Sequence, residues 1–253
     1  MQEKENKWLS IAKKAAIKAG AEILKVYEKD FKVSYKNDDS PLTIADQRAN
    51  DIIEKLLSET NIPILSEEGK QIDFNERKNW NLLWIVDPLD GTKEFVKRNG
   101  EFTVNIALIK DGAPIIGVIY VPVLRCLYFA SNAGTYKEHN GEKNKLPLIS
   151  NERNFRVVGS RSHLSLETEN YINKLRKEKG EIDLVSMGSS LKICLVAEGF
   201  ADVYPRFAPT MEWDTAAGHA IAKYAGKNLI DLETNSEMIY NRPILKNNWF
   251  IVR

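Results

Sequence analysis

Apolar residues near the start of the chain recur at intervals of three and four, which places them along one face of a helix. The first series covers Trp8–Tyr27, and a second covers Ala49–Leu57. Thr43 and Asp46 precede the second series with the spacing of a helix N-cap and the third helical residue. The pattern predicts two amphipathic helices, with Asp46 in the first turn of the second.

Short apolar runs then predict strands, because runs of this length bounded by turn residues are typical of β-structure. In the first half of the chain these runs are Ile62–Leu65, Leu82–Val86, Phe102–Ile109 and Pro114–Val123. Lys110-Asp111-Gly112 joins the last two runs and has the composition of a hairpin turn. The first half is therefore predicted as α followed by largely antiparallel β.

The second half alternates runs typical of strands with runs typical of helices, which indicates an α/β layer. The predicted strands are Phe155–Val158, Ile182–Val185, Ala201–Tyr204 and Asn228–Ile230, and the predicted helices are Ser165–Lys177, Leu191–Glu198 and Trp213–Tyr224. A polar segment at 140–145 separates the halves. We expect a boundary near Ser150, with an N-terminal α+β half at 1–150 and a C-terminal α/β half at 151–253.

Composition and charge exclude several functional classes. With 253 residues, of which 43% are hydrophobic, the chain can form one large domain or two packed halves. A formal net charge of +1 gives no bulk electrostatic reason to expect a nucleic-acid polymer as a partner. The longest apolar run, Pro114–Leu124, is too short to span a bilayer, and the N-terminus has no secretory apolar core. We expect no transmembrane segment, a cytoplasmic protein, and buried thiols at Cys126 and Cys194.

Several carboxylates stand where predicted buried strands end. Leu82–Val86 leads directly into Asp87-Pro88-Leu89-Asp90-Gly91-Thr92. A surface turn is one interpretation, because Asp-Pro and Asp-Gly are common turn dipeptides. The run before it shows no polar alternation, which instead favours a strand buried on both faces, with the acids at the edge of a packed sheet.

Two further acids have similar positions, since Glu67 follows Ile62–Leu65 and Asp214 begins an alanine-rich helix. Carboxylates brought together would repel one another and raise one another's pKa unless cations neutralise them. All-oxygen sites of this kind suit Mg²⁺. From the spacing alone, a metal-binding cluster and a set of unrelated surface acids are equally good interpretations of these carboxylates.

Three stretches resemble signatures of the inositol-monophosphatase superfamily, in that family's order. They are Leu65-Ser-Glu-Glu68, Trp84-Ile-Val-Asp-Pro-Leu-Asp-Gly-Thr92 and Glu212-Trp-Asp-Thr-Ala-Ala-Gly218. The resemblance implies a layered αβαβα sandwich of the inositol-monophosphatase and fructose-1,6-bisphosphatase type. It implies that two or three Mg²⁺ ions are held by Glu67, Asp87, Asp90, Asp214 and the backbone carbonyl of Leu89. It also implies that Asp46 and Thr92 together orient the attacking water.

The chemistry of these residues agrees with the implied roles. A threonine hydroxyl does not ionise near neutral pH, but Thr92 hydrogen-bonded to Asp46 could accept a proton from water and pass it on. The alternative for Thr43 and Asp46 is a plain capping box. Backbone N–H groups at Gly91 and Thr92, opening a helix that continues through Lys93, would bind a phosphate group.

Other stretches resemble the 3'(2'),5'-bisphosphate nucleotidase (CysQ-type) branch of the superfamily. They are Gly91-Thr-Lys-Glu-Phe95, the run Lys97–Ile106, Gly159-Ser-Arg-Ser-His163, Gly188-Ser-Ser-Leu-Lys192 and Tyr204-Pro-Arg-Phe207. The resemblance implies Mg²⁺-dependent removal of the 3'-phosphate of adenosine 3',5'-bisphosphate, with its 5'-phosphosulfate relative as a second candidate substrate. It also implies sensitivity to lithium and a place in sulfur metabolism.

The same resemblance implies a set of substrate contacts. Ser189, Lys192 and Arg206 would hold the 5'-phosphate or ribose end, and His163 would lie beside the nucleotide. The remaining implied contacts are Glu67, Leu89, Asp90, Gly91, Thr92, Lys93 and Asp214. The alternative for Lys192 is a solvated surface lysine, and the alternative for His163 is an ordinary loop residue.

Three functions are alternatives to a bisphosphate nucleotidase. An inositol monophosphatase would use the same mechanism on another small phosphorylated molecule. A haloacid-dehalogenase-type phosphatase also has Asp-Gly-Thr, but there one residue separates the two acids, whereas Pro88 and Leu89 separate Asp87 and Asp90 here. A non-catalytic metal- or nucleotide-binding protein would not need Asp46 or Thr92. The sequence leaves open whether the protein is a monomer or a homodimer.

Overall fold

A computed structural model of the chain describes residues 2–28, 34–35, 41–42, 44–148, 153–160 and 165–253. The helices in this part of the chain are α1 (Gln2–Tyr27), α2 (Ile44–Leu57), α3 (Phe74–Arg77), α4 (Thr92–Val96), α5 (Leu166–Lys179), α6 (Leu191–Ala197) and α7 (Glu212–Tyr224). The strands are β1 (Ser34–Tyr35), β2 (Pro41–Leu42), β3 (Ile64–Ser66), β4 (Leu82–Asp90), β5 (Thr103–Lys110), β6 (Ala113–Val121), β7 (Cys126–Ser131), β8 (Gly134–His139), β9 (Glu142–Lys145), β10 (Phe155–Ser160), β11 (Ile182–Met187), β12 (Tyr204–Arg206), β13 (Leu229–Asp231), β14 (Ser236–Glu237) and β15 (Phe250–Val252).

The main sheet has seven strands in the order β3-β4-β5-β6-β7-β8-β9. Its first pair, β3 and β4, is parallel, and every later pair is antiparallel. The predicted hairpin is confirmed, because β5 and β6 pair through Lys110 and Ala113. Asp111 and Gly112 between them have φ angles of 50° and 77°, as a two-residue turn that matches the strand twist requires.

The second strand of this sheet, β4, is buried on both faces, as predicted. Leu83 and Ile85 belong to the core that α6 and α7 cover. Trp84 and Val86 belong to the core that α1 and α2 cover. Successive side chains of a strand point to opposite faces, so an unbroken apolar run is what a strand between two helical layers requires.

The elements form five layers. Helices α1 and α2 cover one face of the main sheet, and α7, with α6 packed against it, covers the other. The strands β10 to β15 lie beyond α6, with β10 and β11 parallel and β12, β15, β13 and β14 in a second small sheet. Helix α5 covers β11 and β12 on the outside. This arrangement confirms the predicted αβαβα sandwich.

Close packing of α7 on the main sheet depends on a glycine in β6. A Cβ atom at Gly117 would lie 2.4 Å from the backbone oxygen of Ala217 and 2.7 Å from the Cβ of Ala220. No larger residue fits there without moving the helix. The glycine and the alanines together allow α7 to lie directly on β6.

The polar segment predicted to separate the halves is instead part of the main sheet, so that prediction was wrong. Asn140 and Gly141 form the turn of a hairpin, and β9 pairs with β8. All four residues of β9 are exposed and polar, so they carry no hydrophobic pattern that would have indicated a strand. The boundary near Ser150 lies outside the described residues, and the division into halves stays a prediction.

Smaller differences concern the ends of elements and the cysteines. Strand β12 begins at Tyr204, whereas the sequence predicted a strand from Ala201. Strands β7, β8 and β15 were not predicted. Cys126 and Cys194 are buried free thiols, as expected. Among the described residues, no helix is long and apolar enough to cross a bilayer.

Candidate active site

Three acids meet where β3, β4 and α7 come together. Glu67 follows the last residue of β3, Asp87 lies in the second half of β4, and Asp214 is in the first turn of α7. Because β3 and β4 are parallel neighbours, their carboxyl ends lie at the same edge of the sheet. One ligand atom from each acid can be chosen so that all lie within 4.8 Å of one another.

Burial and repulsion between neighbouring carboxylates raise the pKa values of Asp87 and Asp214. The pKa of Asp87 is raised well above its usual value, first by burial and then by the charges of Glu67, Asp90, Asp214 and Asp46. The pKa of Asp214 is raised to about 8, first by burial and then by Asp90. Holding several carboxylates together is unfavourable without a cation, and an all-oxygen set of donors fits Mg²⁺.

A bulge in β4 brings Asp87 and Asp90 toward the same side. Residues three apart on a regular strand point to opposite faces. Here Asp87 pairs with Asn105 while Asp90 pairs with Thr103, so β4 has one extra residue between the two pairs. Bulges of this kind redirect side chains and are common beside active sites. Leu89 is buried inside the bulge, and its backbone N–H donates to Asp87 Oδ1 at 3.1 Å.

The predicted catalytic pair lies next to the acids. Asp46 is buried in the first turn of α2, and its charge contributes to the raised pKa of Asp87. Thr92 is the first residue of α4 and lines a cleft beside Asp90 and Asp214. Direct pairing of Asp46 with Thr92 stays a prediction. Thr43, needed for the alternative capping box, lies outside the described residues.

A cleft of about 340 Å³ opens beside the acids. Seven of the predicted substrate contacts line this cleft: Asp90, Gly91, Lys93, Ser189, Lys192, Arg206 and Asp214. Gly91 adopts a left-handed φ of 92°, and a Cβ there would lie 3.3 Å from the Cβ of Ser189. Glycine therefore allows the end of β4 to approach the loop before α6. His163 lies outside the described residues.

Lys192 is buried, so the alternative of a solvated surface lysine is wrong. Its side chain is in the first turn of α6, and the residue is only 7% exposed. The ammonium donates to the backbone oxygens of Ser189 at 2.6 Å and Met187 at 3.4 Å. Burial lowers its pKa to about 8, against the opposing effect of Asp90. The lysine thus both lines the cleft and holds the loop before α6.

Arg206 lies on the same side of the cleft. Its guanidinium donates to the backbone oxygen of Pro209 at 3.2 Å, and the residue is only partly buried. The charge of Arg206 also lowers the pKa of Lys192. Two neighbouring cations in a cleft favour an anionic ligand.

Several residues of the site were not predicted individually. Ser190 and Asn105 hydrogen-bond around Asp90. Glu94 lines the cleft, and Glu101 Oε2 accepts from the backbone N–H of Gly188 at 2.8 Å. Only Asn105 has a signal in the sequence, because it is a polar residue within a strand whose neighbours are apolar.

Comparison with known proteins gives a consistent result. The sequence profile of the inositol monophosphatase family matches residues 4–251. The chain is 50% identical, over 217 residues, to the 3'(2'),5'-bisphosphate nucleotidase CysQ of Salmonella typhimurium, covering 84% of this chain and 86% of that protein.

Solved structures agree with the sequence comparison. The crystal structure of CysQ from Bacteroides thetaiotaomicron, described as a bacterial member of the inositol monophosphatase family, superposes with a TM-score of 0.90 at 52% identity, covering 97% of this chain and 96% of that one. The extragenic suppressor protein suhB from Bartonella henselae gives a TM-score of 0.76 at 26% identity, covering 97% and 92%.

Proposed function

The chain belongs to the inositol monophosphatase family, and from that premise we propose that it is a Mg²⁺-dependent phosphatase that removes the 3'-phosphate of adenosine 3',5'-bisphosphate. One observation carries the proposal. The acids Asp90 and Asp214 line the same cleft as the cations Lys192 and Arg206, and buried Asp87 lies beside Asp214. A substrate with two phosphate groups suits such a site, because cations held by the acids would bind one phosphate and the two basic side chains the other.

The proposed metal ligands are Glu67, Asp87, Asp90, Asp214 and the backbone carbonyl of Leu89, for two or three Mg²⁺ ions. Bound Mg²⁺ would neutralise the carboxylates and stabilise the negative charge that develops on the phosphate group. The close approach of Glu67, Asp87 and Asp214 and the raised pKa values of Asp87 and Asp214 support this assignment.

The proposed catalytic residues are Asp46 and Thr92. A water oxygen forms a bond to phosphorus while the bond from phosphorus to the 3'-oxygen breaks in line with it, and the departing 3'-oxygen takes a proton from solvent to become the 3'-hydroxyl of the product. The Thr92 hydroxyl accepts a hydrogen bond from that water, and the proton that the water loses passes through Thr92 toward the Asp46 carboxylate. Backbone N–H groups of Gly91 and Thr92, with Lys93, hold the phosphate that is transferred.

The proposed contacts for the rest of the substrate are Ser189, Lys192 and Arg206. A cleft of about 340 Å³ is within the range of roughly 300–1,000 Å³ that is typical of small-molecule sites. Charge-assisted hydrogen bonds from Lys192 and Arg206 would bind the 5'-phosphate. An inositol phosphate is the alternative substrate, but a single phosphate would leave these two cations without an anionic partner.

The proposal is tested by following phosphate release from adenosine 3',5'-bisphosphate and identifying the nucleotide product by chromatography. We expect 5'-AMP as the product, no turnover in a chelator, and recovery when Mg²⁺ is restored. Accumulation of 3'-AMP would show that the wrong phosphate is removed. Turnover that persists without metal, or no turnover of any bisphosphate, would contradict the proposal.

A further inference from the structure

Ser190 contacts two of the acids at once. It is the N-cap residue of α6 and is 3% exposed. Its backbone nitrogen and its Oγ each lie 2.6 Å from Asp90 Oδ2. Its Oγ also lies 2.9 Å from the backbone oxygen of Asp214. One serine therefore joins the end of β4 to the first turn of α7.

Asn105 and Thr103, both buried in β5, complete this contact. Asn105 Nδ2 donates to Ser190 Oγ at 2.8 Å and approaches Asp90 Oδ2 at 3.4 Å. Thr103 Oγ1 donates to Asn105 Oδ1 at 2.9 Å, which fixes the orientation of the amide. Because Ser190 Oγ accepts from Asn105, its single hydrogen is directed toward Asp90 or the Asp214 carbonyl.

Three of these contacts converge on the same oxygen of Asp90. The backbone N–H of Ser190 and the amide of Asn105 donate to Oδ2, and the Ser190 hydroxyl lies within hydrogen-bonding distance of it. A carboxylate offers two oxygens, so donors that hold Oδ2 set the direction in which Oδ1 points. Outer hydrogen bonds of this kind orient metal ligands and commonly change metal affinity by about 10–100-fold.

We infer that Thr103, Asn105 and Ser190 are positioning residues that hold Asp90 by Oδ2 and present Oδ1 to a divalent cation. This inference rests on the proposed function. Ser190 also fixes the position of Asp90 relative to Asp214, because its hydroxyl contacts both residues although they are far apart in the sequence.

Isothermal titration of MgCl₂ into the metal-free full-length protein, without substrate, tests the inference. Ser190→Ala removes the hydroxyl but keeps the backbone donor, so its Mg²⁺ affinity should fall by about tenfold, the lower end of the usual effect. Ser190→Thr keeps a hydroxyl and should bind within about threefold of the wild type. Thr103→Val frees the amide of Asn105 and should weaken binding by a smaller factor, about two- to fivefold.

Ser131→Ala is the matched control. Ser131 is also 3% exposed, and its Oγ accepts one hydrogen bond, from the backbone N–H of Ala133, in a turn that contains none of the acids. Its Mg²⁺ affinity should equal that of the wild type. Melting temperatures of all variants in a chelator separate a change of stability from a change of affinity.

Equal Mg²⁺ affinity in the wild type and Ser190→Ala overturns the inference, even if the variant melts at a lower temperature, because the serine would then be merely structural. An equal loss in Ser131→Ala overturns it as well, because the effect would not depend on position. A wild-type protein that binds no Mg²⁺ contradicts the proposed function itself, and the inference with it.

Discussion

Asp214 shows how one residue at this site serves both the fold and the proposed chemistry. Its carboxylate accepts a hydrogen bond from the backbone N–H of Met211 at 2.8 Å, in the manner of a helix cap. The same carboxylate lies with Glu67 and Asp87 in the three-acid cluster. The cap alone would lower the pKa of Asp214, yet burial and the neighbouring acids raise it to about 8.

The raised pKa values predict how the stability of the metal-free protein depends on pH. A folded-state pKa above the unfolded value of 3.8 means that the folded protein binds more protons than the unfolded chain from about pH 4 upward. The contribution of these acids to stability therefore falls as the pH rises, up to about pH 8 for Asp214. Mg²⁺ should reverse this loss.

Asp87→Asn tests that account, because the amide keeps the oxygen that accepts from Leu89 but cannot ionise. In a chelator at pH 8 the variant should melt at least about 2 °C above the wild type, which corresponds to roughly 1 kcal/mol, and the difference should shrink at pH 5. The variant should also lose the rise in melting temperature that Mg²⁺ gives the wild type. Glu181→Gln, at an exposed position, is the control. A variant as stable as the wild type at both pH values would contradict the account.

The catalytic pair is tested by a double-mutant cycle. If Asp46 and Thr92 act as one relay, Asp46→Asn and Thr92→Ala should each lower kcat by about 10²–10⁴-fold, while KM changes little. The double variant should lose little more than either single variant, because either change already breaks the relay. Additive losses would show that the two residues act independently.

Kinetic measurements can separate two roles of the Lys192 side chain, binding the 5'-phosphate and holding the loop before α6. If the ammonium binds the 5'-phosphate, Lys192→Ala should lower kcat/KM for adenosine 3',5'-bisphosphate at least about tenfold more than it lowers kcat/KM for 3'-AMP. If it only holds the loop through Ser189 and Met187, both activities should fall equally. Equal losses would remove Lys192 from the proposed substrate contacts.

At the scale of elements, the position of α7 depends on a buried ion pair at its first residue. Glu212 is fully buried and accepts from the backbone N–H groups of Asn241 and Arg242, at 2.7 and 3.0 Å. Arg242 Nε also donates to it at 3.2 Å. The pair ties the first turn of α7, and with it Asp214, to the segment before β15.

Arg242→Met should be strongly destabilising, because it removes the hydrogen-bonded cation from the buried Glu212 carboxylate. Breaking one partner of a buried pair costs about 3–5 kcal/mol, which urea unfolding can measure. Arg176→Met, on the exposed face of α5, is the control and should change stability by less than about 0.5 kcal/mol. A loss below about 1 kcal/mol in Arg242→Met would show that the pair does not hold α7.

How far the elements could be predicted depends on how each one is buried. The unbroken run of β4 indicated a strand between two layers, and its buried faces confirm this. Strand β9 escaped prediction because all of its residues are exposed and polar. A bulge leaves no hydrophobic signature, so the shared direction of Asp87 and Asp90 came only from the structure.

Site residues also differ in how far the sequence could predict them. Acids at strand ends are conspicuous in a sequence, and the family motifs add their roles. Ser190 is a neutral residue in a loop, and its contact with Asp90 depends on a residue 100 positions away. Burial of Lys192 likewise depends on the loop that folds over it. Contacts between distant segments cannot be read from local patterns.

At the scale of the whole molecule, the layering explains why the site draws on both parts of the chain. Helix α7 packs on the main sheet with α6 beside it, which brings Asp214 and Lys192 to the edge where β3 and β4 end. Asp90 from β4, Asp214 from α7 and the cations Lys192 and Arg206 therefore line one cleft. Substrate selection is accordingly a property of the assembled sandwich and not of either part alone.

Selection by this cleft of a substrate with two phosphate groups is tested most directly by comparing kcat/KM for adenosine 3',5'-bisphosphate and inositol 1-phosphate. Both substrates should be measured on one preparation at saturating Mg²⁺. With charge-assisted contacts worth roughly 1.5–3 kcal/mol each at Lys192 and Arg206, we expect a preference of at least about tenfold for the bisphosphate. Equal values, or a preference for inositol 1-phosphate, would contradict this selection.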